Sequence, residues 1–337
     1  MRCCVAHGLY YGRCHSDKLR GMRSRSSLSL QFRAEAYDFP TGSVTAGTVM
    51  SWLDKAGYAT AASWTGTNVV AGYVGNLHFA HPVPVETPIT VQCRMLYTGT
   101  SSVHVQSRLV LPTILDDEGQ PTVATEVIMV YVAIDDNGEK VRVKPWEPTT
   151  DAAQERAVKA KARSDQLKAS EKSLMTIAFP EQEETTAEII RLRFIVSEPD
   201  AGVGVRVGGG SVLRWLDEAA NVCGARWVQD NVVAVFAGGV RFENMVYGGD
   251  LLEIEARLVH TSAHSMHVML RAWTSTRFDP TQIPVAHGIT VLVDPGEDGK
   301  AKRIRPWHPR TVLETELEQH CTELVRMRNE IAYSWAL

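Results

Sequence analysis

Asp54 and Asp217 are the two residues whose type and placement suit chemistry better than architecture. Each falls in the middle of a run with helical spacing, where aspartate is a mediocre helix former. Each lies on a stripe that is otherwise small or apolar, Met50–Asp54–Gly57–Ala61 and Leu213–Asp217–Ala220–Gly224. The polar stripe runs beside it, through Ser51–Lys55 and Arg214–Glu218. A carboxylate on such a face has its charged form disfavoured, so its pKa rises and it becomes a base of useful strength near neutrality. The competing explanation is an aspartate that only ties down a neighbouring loop amide. Glycines precede both runs, Gly47 in "TAGT" and Gly208–Gly210 in "GGGS". The unpaired N–H groups of a helix start favour negative charge, and a missing side chain lets another group approach the backbone. Tight helix–sheet packing selects glycine equally well.

The two aspartates are 163 residues apart, and that offset runs without a gap from Gly47/Gly210 to Arg108/Arg271. Trp52/Trp215, Leu53/Leu216, Trp64/Trp227, Asn68/Asn231, Gly75/Gly238, Phe79/Phe242, Thr98/Thr261, Ser102/Ser265 and His104/His267 match along it. With small indels the match continues outward, from "LSLQFR" and "IIRLRF" to "VKPWEP" and "IRPWHP". The chain is therefore a duplication, and two similar units can pack about a pseudo-twofold axis. The expected division is an extension over 1–27, a first domain over 28–148, a helical linker over 149–187, a second domain over 188–309 and a C-terminal helix over 310–337. Leu313, Leu317, Cys321 and Leu324 give that last helix its apolar spacing.

The elements that must carry the aspartates are legible from periodicity. Val49, Leu53, Ala56, Thr60 and Trp64 mark one face of a long helix, and Val212, Leu216, Ala219, Cys223 and Trp227 repeat it. The runs "NVVAGYVGNLHF", "PITVQCRMLYTG", "SSVHVQSRLVL" and "TVATEVIMVYVAID" follow the first helix as strands, with "TGTS" as a hairpin and "DDNG" closing the last. No helix separates these strands, which excludes a parallel βαβ sheet and predicts an antiparallel sheet wrapped around one helix. Asn68 and Asn231 read as turn or cap residues, and His104 and His267, alternating along strands, as structural histidines.

Composition narrows the function classes. With 35 Lys and Arg against 39 Asp and Glu, the net charge of −4 gives no reason to expect a nucleic acid or an anionic membrane as partner. Every apolar run is far shorter than a membrane span requires. The six cysteines show neither CxxC pairing nor metal-ligand spacing, so no metal is expected and they read as reduced thiols of a cytosol-like compartment. Arg2, Arg13, Lys18, Arg20, Arg23 and Arg25 face only one acid, Asp17, in the first 27 residues. That segment lacks a secretory core and reads as an extension, an early start (Met22 would serve) or a transit peptide for an organelle such as the mitochondrion.

The segments "GTVMSWLDKAG" and "GSVLRWLDEAA", each followed by a strand ending "LHFAHPV" or "VRFENMV" and by "YTGTSSVHV" or "HTSAHSMHV", resemble the helix and hairpin of the 4HBT-type acyl-CoA thioesterases. Two such units in one chain resemble the tandem acyl-CoA hydrolases. The resemblance implies an α+β fold of two hot-dog domains, each a long central helix wrapped by an antiparallel sheet. It implies hydrolysis of acyl-CoA to free CoA and a carboxylic, fatty-type acid, with no cofactor. Asp54 and Asp217 would act as base or nucleophile, and Gly47, Gly209 and Gly210 would supply oxyanion amides. Ser102 and Ser265 would lie near the CoA arm. By the same analogy a site combines one unit's aspartate with the other unit's helix start, and the assembly is a trimer of tandem chains in the cytoplasm. The chain departs from the family at Thr45 and Gly208, where relatives carry a histidine. It departs again near Phe39 and Gly202, where an asparagine that pairs with the catalytic aspartate would fall. The competing function is a non-catalytic acyl-CoA binder or sensor on the same scaffold.

Overall fold

The computed structural model describes residues 26–35, 42–171, 185–197, 206–296 and 299–333. Most of the N-terminal extension, the linker beyond Glu171, and Phe39, Gly202 and their neighbours Asp38 and Asp200 lie outside the described residues.

The first half contains β1 (Ser27–Arg33), α1 (Ala46–Thr65), β2 (Asn68–Val74), β3 (Leu77–His78), β4 (Pro88–Thr98), β5 (Ser102–Leu115) and β6 (Pro121–Ile134). After α2 (Asp151–Glu171) the second half repeats the order with β7 (Ile189–Ile195), α3 (Gly209–Val228), β8 (Val233–Phe242), β9 (Leu251–Thr261), β10 (Met266–Ser275) and β11 (Ile283–Val293). The last helix is α4 (Val312–Tyr333). All strands join one antiparallel sheet in the order β1-β4-β5-β6-β2-β8-β11-β10-β9-β7, with β3 pairing β8. The two half-sheets meet where Tyr73 faces Arg241 and Val74 faces Val240. This is the tandem hot-dog architecture, with α1 and α3 each cradled by its own half-sheet. No helix among the described residues is long and apolar enough to cross a membrane.

Each central helix forms for local reasons. The Thr45 hydroxyl caps α1 by accepting from the Thr48 amide at 3.3 Å, and Gly66 closes it with φ +66. α3 starts from Gly208 without a side-chain cap and ends at Gln229, a non-glycine residue held at φ +60. Burial follows the expected stripes: Val49, Leu53, Ala56 and Thr60 on α1, Val212, Leu216, Ala219 and Cys223 on α3. Trp52 stacks on Phe32 with ring centroids 5.5 Å apart, and Trp215 meets Phe194 edge-on at 5.1 Å, so each helix is keyed to the first strand of its own half.

One strand differs from its expected form. "NVVAGYVGNLHF" was expected as a single strand, and it is broken at Gly75–Asn76 into β2 and β3, whereas its counterpart β8 is continuous. The Gly75 amide donates to Ile128 O at 2.9 Å, and a Cβ at Gly75 would stand 2.8 Å from that carbonyl. The chain turns there, and β3 lies against β8 of the other half, lengthening the seam.

Candidate active site

The two aspartates come together with the opposite half at the α1–α3 crossing. The Gly47 amide donates to Asp217 Oδ2 at 2.8 Å, and the Gly210 amide donates to Asp54 Oδ2 at 2.7 Å. The contacts are reciprocal, as a pseudo-twofold axis demands. A Cβ at Gly47 would lie 2.9 Å from Arg214 Cα, and a Cβ at Gly210 would lie 3.0 Å from Ser51 Cα, the residue that matches Arg214 in the repeat. Gly47 and Gly210 thus answer to helix-on-helix packing rather than to the helix–sheet packing considered from the sequence, whereas Gly209 meets Ala71 of β2. The backbones approach too closely for any side chain, and each helix start sets its N–H groups against a negative group. Gly209 is equally close, its notional Cβ 3.4 Å from Asp54 Oδ1.

Both carboxylates are buried, Asp54 to 6% exposure and Asp217 to 2%. Burial pushes the Asp54 pKa up to about 6, against the lowering effect of the Gly210 amide and then of Tyr131. Burial likewise pushes Asp217 up to about 7, opposed by the Gly47 amide and, less, by the Asn221 side chain, while the neighbouring Glu218 charge raises it further. The direction is the one expected from an acid on a semi-apolar stripe.

The two sites are not equivalent. The Tyr131 hydroxyl on β6 stands 3.1 Å from both Asp54 Oδ1 and the Asp54 main-chain oxygen and shares its proton between them, so each carboxylate oxygen of Asp54 has a donor beside it. Asp217 Oδ1 is buried with no hydrogen-bond partner among the described residues. Strand register identifies the cause. Tyr131 pairs with Val103 and Ala71, and Leu292 pairs with Met266 and Ala234, the same positions one repeat later. Leu292 thus stands where Tyr131 stands and has no hydroxyl to offer. Space for the tyrosine comes from Gly57, whose notional Cβ would lie 2.3 Å from Tyr131 Oη; its repeat counterpart is Ala220. Gly57→Ala should therefore cost about 1–3 kcal/mol through overpacking. Adding Tyr131→Leu, which copies the Ala220/Leu292 pairing, should recover most of it. Urea denaturation of the two variants checks this; equal loss in both would mean the steric pairing is misjudged.

The remaining candidates lie apart from this pair. Ser102 opens β5 and Ser265 lies in the β9–β10 hairpin, where its hydroxyl bonds Ser262 at 2.7 Å and His267 at 3.4 Å. Neither hydrogen-bonds Asp54 or Asp217. His104 and His267 are buried against Tyr97 and His260. Trp146 and Trp307 tie the exit segments down alike, each amide donating 2.8 Å to a threonine hydroxyl, Thr98 or Thr261. Cys93, Cys223 and Cys321 are buried thiols outside any disulfide, and no group of three metal-ligating side chains occurs among the described residues. Two clefts, of about 420 and 180 Å³, are lined by β-strand residues and by neither aspartate, so the pantetheine groove expected beside the carboxylates is not one of them. Tyr131 is the residue that reading the sequence missed. Its signal was a mismatch inside an otherwise matching repeat.

A model of the thioesterase superfamily matches residues 41–114 and 207–277, one segment around each aspartate. A cytosolic acyl coenzyme A thioester hydrolase of Homo sapiens is 23% identical over 293 residues, covering 82% of this chain and 76% of that protein. An uncharacterized acyl-CoA thioester hydrolase of Buchnera aphidicola subsp. Schizaphis graminum is 30% identical over 105 residues, 31% of this chain and 78% of its own length. Among solved structures, a Lactobacillus plantarum protein provisionally named an oleoyl thioesterase superposes with a TM-score of 0.52 at 13% identity, over 84% of this chain and 98% of that one. That last likeness concerns the fold alone.

Proposed function

The chain belongs to the thioesterase superfamily, and from that premise we propose that it hydrolyses acyl-CoA, with Asp217 as the working carboxylate. The observation that carries this reading is the buried Asp217 carboxylate, whose Oδ2 accepts from the opposite half's helix start while Oδ1 has no hydrogen-bond partner among the described residues. A water held there gives its proton to Asp217 Oδ1 as its oxygen attacks the thioester carbonyl. The Gly47 amide is engaged with Asp217 Oδ2, so the neighbouring Ala46 amide at the start of α1 is the one that opposes the charge developing on the carbonyl oxygen. The C–S bond then breaks, the CoA thiolate takes up the proton, and a carboxylic acid leaves. Asp54 is the lesser candidate, because each of its oxygens already accepts a hydrogen bond, one from Gly210 and one from Tyr131. A fatty acid product, a trimer of tandem chains and a cytoplasmic location belong to the same reading and rest on likeness to relatives.

The test is release of free CoA from acyl-CoAs of graded chain length by the wild type and the Asp54→Asn/Asp217→Asn double variant. Release by the wild type alone supports hydrolysis. Equal, slow release by both proteins would leave an acyl-CoA binder. The pH dependence of kcat/KM separates the two carboxylates. A general base must be ionised, so the rate should climb with pH and level off above the pKa of the acting group. A midpoint near 7 is expected for Asp217, and a midpoint near 6 would point to Asp54.

A further inference from the structure

We propose that the outer face of the first half-sheet carries a binding cleft for a phosphorylated small molecule, built on Arg94 and Arg108. The duplication supplies its own control. Register places Ser29, Gln92, Arg108 and Glu126 in one row across β1, β4, β5 and β6, with Ser27, Arg94 and Gln106 in the next. The same rows in the second half read Arg191, Glu255, Arg271 and His287, with Ile189, Arg257 and Met269 beside them. Each half therefore carries a diagonal pair of arginines on this face, Arg94 with Arg108 and Arg257 with Arg271.

In the second half a carboxylate answers that charge. Glu255 Oε1 accepts from Arg257 Nη2 at 3.2 Å, and Glu255 Oε2 lies 2.8 Å from Arg191 Nη2. In the first half the position of Glu255 is held by the neutral Gln92, which accepts from Arg108 Nε at 3.1 Å, while Arg94 Nε donates to Gln106. Neither Arg94 nor Arg108 makes an ion pair among the described residues. The only acid on the two rows, Glu126, accepts from Gln106. Partial burial lowers the Arg94 pKa and the nearby charge of Arg156 lowers it further, while the charge of Glu126 partly offsets both. In the first half a cleft of about 420 Å³ lies here, lined by Ser27, Ser29, Gln92, Arg94, Gln106 and Arg108 together with Leu28 and Cys93, whereas the second half's smaller cleft of about 180 Å³ reaches Arg271 but not Arg257.

Two guanidinium forks, two hydroxyls and two side-chain amides form a donor-rich wall suited to a multivalent oxyanion. Diagonal neighbours on a sheet stand roughly 7–8 Å apart, a separation that a diphosphate or a bisphosphate spans. The volume lies in the range of small-molecule sites. The phosphoryl groups have two possible sources, the nucleotide end of CoA or a separate phosphorylated metabolite.

Calorimetric titration with inorganic pyrophosphate and with adenosine 3′,5′-bisphosphate tests the proposal on the full chain. The key variant is Gln92→Glu, which installs the second half's own carboxylate between the arginines and so should fold at least as well as the wild type. Wild type is expected to bind, more weakly as salt rises, and Gln92→Glu and Arg94→Gln/Arg108→Gln to bind at least tenfold more weakly. If CoA is the source, Gln92→Glu raises KM for acyl-CoA severalfold at unchanged kcat and leaves an acyl-pantetheine substrate unaffected. If a separate metabolite is the source, binding is lost while KM for acyl-CoA stays the same. Binding of both probes that is equally tight in wild type and Gln92→Glu, or absent from wild type at millimolar concentration, overturns the proposal. The titrations need no turnover, so their outcome is separate from that of the hydrolase reading.

Discussion

Asp217→Asn is expected to lower kcat for acyl-CoA hydrolysis by at least about 10³-fold, whereas Asp54→Asn should lose no more than about tenfold. The asymmetry follows from the oxygen atoms. Replacing Asp217 removes a buried carboxylate whose Oδ1 accepts no hydrogen bond among the described residues and can accept one from a water. Replacing Asp54 removes a group whose two oxygens already accept from Gly210 and Tyr131. KM should change little in either variant, because the carboxylate acts on the attacking water and not on the acyl or nucleotide portions. Thiol release followed in single and double variants decides the matter. A collapse of kcat in Asp54→Asn with Asp217→Asn spared would reverse the assignment.

The same substitution should stabilise the protein at high pH. Asp217 has an ordinary pKa of 3.8 when unfolded and about 7 when folded. The folded state therefore holds a proton that the unfolded state has lost, and the benefit is fully present below about pH 4. It drains away as pH rises toward 7, and above that an ionised carboxylate stays buried with one oxygen unpaired. At about 1.4 kcal/mol per pKa unit, Asp217→Asn should gain roughly 2–4 kcal/mol at pH 8 and nothing at pH 4. Asp54→Asn should gain less, since the folded pKa of Asp54 is nearer 6. Urea midpoints at the two pH values measure this. A variant no more stable than wild type at pH 8 would mean that the charge is better compensated than its contacts indicate. A base kept in an unfavourable place for the sake of reactivity is a recurrent trade between stability and activity.

Much of this was legible in the chain itself. The 163-residue offset exposed the duplication, and helical spacing placed Asp54 and Asp217 on semi-apolar stripes whose burial raises both pKa values. Those signals are local, so one strand of text contains them. That each aspartate meets the helix start of the other half came only through resemblance to tandem relatives, because no periodicity within one unit encodes a contact between units. The break after β2 escaped detection because Gly75 and Gly238 match in the repeat and both sit where a side chain would clash, Gly75 against Ile128 O and Gly238 against Asn76 and Gly75 O, so a glycine there does not by itself mark a break. Tyr131 escaped for a related reason. Its importance depends on Gly57 leaving room for a hydroxyl, a pairing that is visible only when two distant positions are compared across the repeat. The expected groove for the pantetheine arm depends on packing at the seam, which composition does not record.

The most direct measurement is a crystal structure with a non-hydrolysable acyl-CoA thioether bound. The account predicts that the analogue enters at the α1–α3 crossing, with its carbonyl position against the start of α1 and a water bridging to Asp217 Oδ1. An analogue whose sulfur lies against Asp54 and Tyr131, or outside the seam altogether, would contradict it.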